Sequence, residues 1–209
     1  NDFLKFTFLL QWIIGWCAIC ILCLEQPFMK IWVGEEYMLK DTMVLLCSIY
    51  FFVNCIGLIR NVYTQALGMW WQLRFLSVAD IFANTFLNYF LGKEYGPYGI
   101  LTATIVDIVF VSIPWTTYFL FKDFFGIKKY CGYIMLYIKY FLIMILTGGI
   151  TLFICKHISM HSSLLQLVVN GVICILIPNL IYLVIYRNNE YSKKVLKSVR
   201  AYLKGGFTQ

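Results

Sequence analysis

Two acidic residues sit where acids are expensive. Asp80 and Asp107 each lie inside a long apolar run. An ionisable group at membrane depth costs about 3 kcal/mol or more, so each asks for a reason. Asp107 lies about ten residues into its run, and Thr104, Asp107, Val111, Pro114 and Tyr118 fall near one helical face. Pro114 frees a backbone carbonyl and permits a kink. Asp80 belongs to a stripe, Ser77, Asp80, Asn84 and Asn88, at spacings of three and four. A third stripe runs through Asn54, Gly57, Asn61, Gln65 and Gly68, with Arg60 beside it as a cation placed to pair with Asp80. Groups of this kind bind a polar solute or carry a proton or cation. The stripes therefore either face one another across a hydrophilic cavity or bond neighbouring helices together in simple packing.

Thiols give a weaker signal. Eight cysteines occur, at 17, 20, 23, 47, 55, 131, 155 and 174. The run "CAICILC" has the density of a metal motif, but no acid or histidine lies near Cys17, Cys20 and Cys23, and Cys is a common small buried residue. "CKHISMH" offers Cys155, His157 and His161 on a short loop, a set too sparse to define a metal site. No Gly-rich phosphate loop, HExxH or nucleophile elbow occurs. The sequence therefore predicts no enzyme, no cofactor and no metal.

The elements that carry these groups follow from composition. The 209 residues are 61% hydrophobic and 13% charged, with mean hydropathy +0.78. A soluble domain is about half apolar and roughly a quarter charged, and one of this size cannot hide so much apolar surface. Six windows are long enough to span a bilayer: about 3–24, 42–60, 75–91, 97–121, 134–155 and 163–186. The expected class is an all-α membrane protein, a bundle of six transmembrane helices over residues 1–188 with a tail at 189–209. Predicted connections are short, roughly 17, 14 and 5 residues after the first three helices. Tyr191, Val195, Leu196, Val199 and Leu203 recur at helical spacing among Lys and Arg, so the tail reads as a basic amphipathic helix on the inner leaflet or as a solvated anchor.

Lys and Arg sort by loop, 13 on one side and 4 on the other. The positive-inside rule places the 13, and both termini, in the cytoplasm. The net charge of +7 then reflects anionic lipid head groups, not nucleic acid. The segment "LEQPFMKIWVGEEYMLKD" becomes an outer connector. Pro27 is expected to end the first helix, and Gly34 to permit the turn. The chain enters apolar sequence directly after Asn1, which leads us to expect a fragment of a longer protein whose earlier helices are missing.

The stretches "PFMKIWVGEEY", "RNVYTQALGMWWQLRF", "YFLGKEYGPYGILTATIVD" and "PWTTYFLFKDFF", in this order, resemble the C-terminal half of bacterial polysaccharide transporters. These are Wzx-type O-antigen and capsule repeat-unit flippases of the multidrug/oligosaccharidyl-lipid/polysaccharide exporter superfamily. The resemblance runs from about residue 24 to 140 and more weakly beyond. It implies a lobe of a two-lobed bacterial inner-membrane transporter that flips undecaprenyl-diphosphate-linked oligosaccharide by alternating access. It puts Pro27, Trp32, Gly34 and Tyr37 on an outer loop, Arg60, Ala66, Gly68 and Arg74 around an inner turn, and Gly96 and Gly99 at an outer turn. Implied partners are the lipid-linked oligosaccharide, membrane lipids, the missing N-terminal half and the polysaccharide polymerase and assembly machinery. Asn54, Arg60, Asn61, Asp80, Asn84, Asn88 and Asp107 become the cavity candidates, and Trp115 and Tyr118 the sugar-stacking candidates. Trp70 and Trp71 fit either stacking or an interfacial belt. Asp80 or Asp107 would couple transport to a proton or sodium gradient. The chain departs from the pattern in lacking a cation as deep as its acids. Two other readings stand beside this one: a cation-coupled drug antiporter of the same superfamily, and a non-transporting membrane partner or membrane-embedded glycan-processing enzyme.

Overall fold

The computed structural model describes residues 2–158, 160 and 162–195. The α-helices with both ends among the described residues are, in order, α1 Asp2–Trp32, α2 Asp41–Ile56, α3 Leu58–Ala66, α4 Trp70–Tyr95, α5 Pro97–Asp107, α6 Ile113–Leu120, α7 Tyr130–His157 and α8 Ser163–Ile185. Residues 108–112 and 121–125 form π turns that join α5, α6 and the loop before α7 into one bent rod. No strand occurs among the described residues.

Among the described residues, five segments are long and apolar enough to cross a membrane: Asp2–Trp32, Asp41–Ala66, Pro97–Phe125, Ile127–His157 and Ser163–Ile185. That is the architecture of a multi-pass membrane protein. The expected count was six. The third predicted window falls on α4, which is 26 residues long but carries Arg74, Asp80, Lys93 and Glu94 besides its Asn and Ser stripe, and so falls below the apolarity of the others.

Connections are shorter than predicted because the helices run past the apolar windows. Residues 33–40 join α1 to α2, residues 67–69 join α3 to α4, and Gly96 alone joins α4 to α5. Gly96 has φ 58 and ψ −136, a conformation that side-chain-bearing residues avoid. On the 33–40 connector Gly34 has φ 95, so the expected turn is there. The Lys30 ammonium, 2.6 Å from Glu35, holds that exposed carboxyl below the usual carboxylate range.

Pro27 does not end α1. The helix continues five residues further, to Trp32. A proline inside a helix cannot donate to the carbonyl four residues back, here that of Cys23. The Asn170 amide of α8 donates to that carbonyl instead, at 3.4 Å. The same solution recurs on α8. Pro178 lies inside that helix, and the Cys174 carbonyl accepts a bond from the Trp16 indole Nε1 at 2.9 Å. Ser48 of α2 donates to the Ala18 carbonyl at 2.7 Å, and the Tyr137 hydroxyl donates to the Ile56 carbonyl where α2 ends. Each bond ties one helix to the backbone of another.

Helix α1 is the hub, packed on α2, α7 and α8. Phe8, Ala18, Ile19, Phe52, Tyr140, Tyr182 and Tyr186 are among its buried neighbours or members. At the end of the bundle near Asp2, the Phe3 ring meets Tyr63, Phe125 and Tyr133 at centroid distances of 4.9 to 5.1 Å. Residues 190–195 are helical, and Tyr191 and Val195 pack on the core; the remainder of the predicted tail, Leu196, Val199 and Leu203 included, lies outside the described residues.

Trp16→Phe leaves the Cys174 carbonyl without a donor. An unsatisfied buried acceptor costs about 1–3 kcal/mol. We expect Trp16→Phe to lower stability by that order in an SDS-unfolding titration. Adding Pro178→Ala, which restores a backbone donor, should recover most of the loss; equal losses in both backgrounds would refute the pairing.

Candidate functional site

The polar groups gather along α3, α4 and the α5–α6 rod. Helices α4 and α5 form a close antiparallel hairpin. A Cβ built on Gly99 would stand 1.9 Å from the Leu91 carbonyl oxygen, so only glycine permits this approach. The hairpin brings the acids together. The Asn88 amide donates to Asn84 Oδ1 at 2.6 Å, and the Asn84 amide donates to Asp107 Oδ2 at 3.3 Å. Asp80 neighbours Asp107 across this hairpin, near enough for the two charges to interact. Asp80 Oδ1 and Asp107 Oδ1 have no donor of their own. Two ionised carboxylates at that range repel, and a proton or cation between them removes the repulsion.

A polar cleft of about 240 Å³ opens beside this pair. Asn61, Thr64 and Gln65 of α3, Ser77 and Asp80 of α4, and Ser112 and Thr116 line it. Two of the predicted stripes therefore do face each other across open space. Their other members do not. Asn84, Asn88 and Asp107 form a bonded chain in the α4–α5 seam, and Asp107 is only 3% exposed, so packing wins over cavity there. Asn54 is exposed on α2 and does not line the cleft.

Arg60 does not pair with Asp80. Its guanidinium donates to the Ile113 carbonyl at 3.4 Å and to Asn61 Oδ1 at 3.3 Å. The break at Gly57 makes room for it: a Cβ there would lie 2.7 Å from an Arg60 nitrogen. Arg60 is 3% exposed, as buried as Asp107, so a cation as enclosed as the acids does exist. It is held by carbonyl and amide oxygens, and Nε has no acceptor.

Trp115 and Tyr118 stand elsewhere. With Pro114 and Tyr130 they line a separate shallow groove, and Trp115 is 53% exposed. The reason is the π turn at 108–112. It inserts one extra residue into the helix, so the face that starts at Thr104 and Asp107 continues through Ser112 and Thr116, not through Val111, Pro114 and Tyr118. Regular α periodicity hid Ser112 and Thr116, and the available signal was Pro114, whose missing N–H favours such a local change. Trp71 is largely exposed, and the Arg74 guanidinium lies 3.3 Å from its ring centroid.

The cysteines behave differently from the expectation. Cys23, Cys155 and Cys174 are buried and their sulfurs lie within 4.8 Å of one another. Cys155 thus turns into the bundle and away from His157, whose Nδ1 lies 3.0 Å from the Phe153 carbonyl; His161 is outside the described residues. The partners of "CAICILC" were far away in sequence, on α7 and α8.

No protein-family model, curated protein or solved structure matches this chain.

In a background without native cysteines, Asn61→Cys and Ser77→Cys should react with a membrane-impermeant thiol reagent applied to inside-out vesicles. Asp107→Cys should react at least tenfold more slowly, on the order of its exclusion from solvent. Equal labelling of all three would place Asp107 in open water and contradict the seam.

Proposed function

We propose that the chain is the C-terminal lobe of a transporter that flips lipid-linked oligosaccharide across the bacterial inner membrane, for surface polysaccharide synthesis. One observation carries the reading. Helix α4 is 26 residues long and none of its residues is buried, yet it bears the Ser77–Asp80–Asn84–Asn88 stripe and one wall of the polar cleft. A membrane helix with polar groups and no cover on its outer side suits a second lobe closing over it. In this reading α4 is the sixth span, since it lies antiparallel to α5 along its length. Both termini are then cytoplasmic, as the charge asymmetry implies. The substrate class rests on the resemblance given above.

Each part has a role in this proposal. The cleft between α3, α4 and α6 offers hydroxyl and amide groups to a sugar head group. Arg60 supplies positive charge at the inner end, toward a diphosphate. The Asp80–Asp107 pair holds a proton or sodium ion whose release changes the repulsion across the α4–α5 seam. Coupling by this pair serves the drug-antiporter reading equally well. The shallow Trp115–Tyr118–Tyr130 groove offers aromatic faces to the outside of the lobe.

The test uses the full-length gene. Deletion should abolish surface polysaccharide and leave lipid-linked repeat units on the cytoplasmic leaflet, with restoration by the intact protein. Asp107→Asn should keep the Asn84 bond yet cut export at least about tenfold, the effect of about 1.4 kcal/mol. Unchanged polysaccharide with heightened sensitivity to cationic drugs would replace this reading by the antiporter. No effect on either would favour the non-transporting partner.

A further inference from the structure

The buried thiol cluster is a site that the transport reading does not use. Its three sulfurs come from three helices: Cys23 of α1, Cys155 of α7 and Cys174 of α8, all at most 5% exposed. Two of the three positions are pinned by backbone chemistry. Cys23 and Cys174 each lie four residues before a proline, and their freed carbonyls are held across the α1–α8 seam by Asn170 and Trp16. The sulfurs therefore converge on segments with little freedom to separate.

The cluster is also reachable. A cavity of about 380 Å³ between α1, α2 and α7 has Cys23 and Cys155 in its wall, together with Gln26, Met38 and Asn170. The Met38 thioether adds a soft donor on the way in. Asp41, also in the wall, is engaged by Lys156 at 2.6 Å and offers little to a passing cation. By charge asymmetry this is the outer end of the bundle.

Donor type and number select the ion. Three sulfurs around an ion at about 2.3 Å stand about 4.0 Å apart, so a contraction of less than about 1 Å from the observed spacing closes the site. Magnesium and calcium require six or more oxygens. Zinc takes four ligands, and three thiols in an apolar setting leave one position unfilled. Soft sulfur donors select copper(I). We propose that Cys23, Cys155 and Cys174 form a three-coordinate thiolate site for Cu(I), entered through the cavity that Met38 lines. Each thiol that binds as thiolate releases its proton to the cavity water, and no electron is transferred.

The experiment titrates the reduced full-length protein with Cu(I) under anaerobic conditions, in competition with a chromophoric Cu(I) chelator. The expected result is one Cu(I) per chain with three sulfur neighbours at about 2.3 Å in X-ray absorption. Cys174→Ser should weaken binding at least about 100-fold, more than loss of an outer-shell partner. Cys155→Ser, at the cavity wall, gives the same test if Cys174→Ser does not fold. Cys131→Ser, an exposed cysteine outside the cluster, should leave binding unchanged. Binding that survives Cys23, Cys155 and Cys174 all changed to Ser would overturn the site, as would Zn²⁺ displacing Cu(I) at equal concentration.

Discussion

A carbonyl that loses its helical partner in an apolar medium must find another donor, and much of this bundle is arranged around that need. In water the freed group would be hydrated; among packed apolar helices it has only side chains to turn to. Pro27 and Pro178 each free one carbonyl, at Cys23 and Cys174, and Asn170 and Trp16 answer them across the same seam. The Ile56 carbonyl, at the end of α2, takes the Tyr137 hydroxyl. Van der Waals packing between membrane helices is non-directional, so these bonds supply the register that packing alone leaves loose.

The consequence is a bundle with two unequal sides. On one side α1, α2, α7 and α8 share a buried aromatic and thiol core. On the other, α4 touches mainly α5 and buries none of its residues. The polar groups lie on the less covered side, around the cleft between α3 and α4, and the hairpin is tightest at Gly99 against the Leu91 carbonyl. Order and openness are thus separated within one chain, with Arg60 and its Gly57 break at the border between them.

Much of this was legible in sequence, and the failures have identifiable causes. Apolar length located α1, α2, α7 and α8, because hydropathy over about 20 residues is a strong signal. The stripes on α3 and α4 were legible for the same reason that any helix face is, regular spacing. The face through Asp107 was traced correctly only as far as the π turn, where the period changes and Trp115 and Tyr118 rotate away from the cleft. Pro27 was misread as a stop because its compensation, Asn170, lies 143 residues further on. The thiol cluster was missed for a similar reason: Cys23, Cys155 and Cys174 are adjacent only after α1, α7 and α8 have packed.

The turn at Gly96 has a mechanical meaning. With one residue between α4 and α5, and Gly99 against the Leu91 carbonyl, the two helices have no slack to slide or splay and must move as a single stiff arm. Compliance is left to the arm's attachments, residues 67–69 at one end and the π turn at 108–112 on the other strand of the hairpin. Torque applied at the polar cleft would be borne at those two hinges, and the second of them begins at the residue after Asp107.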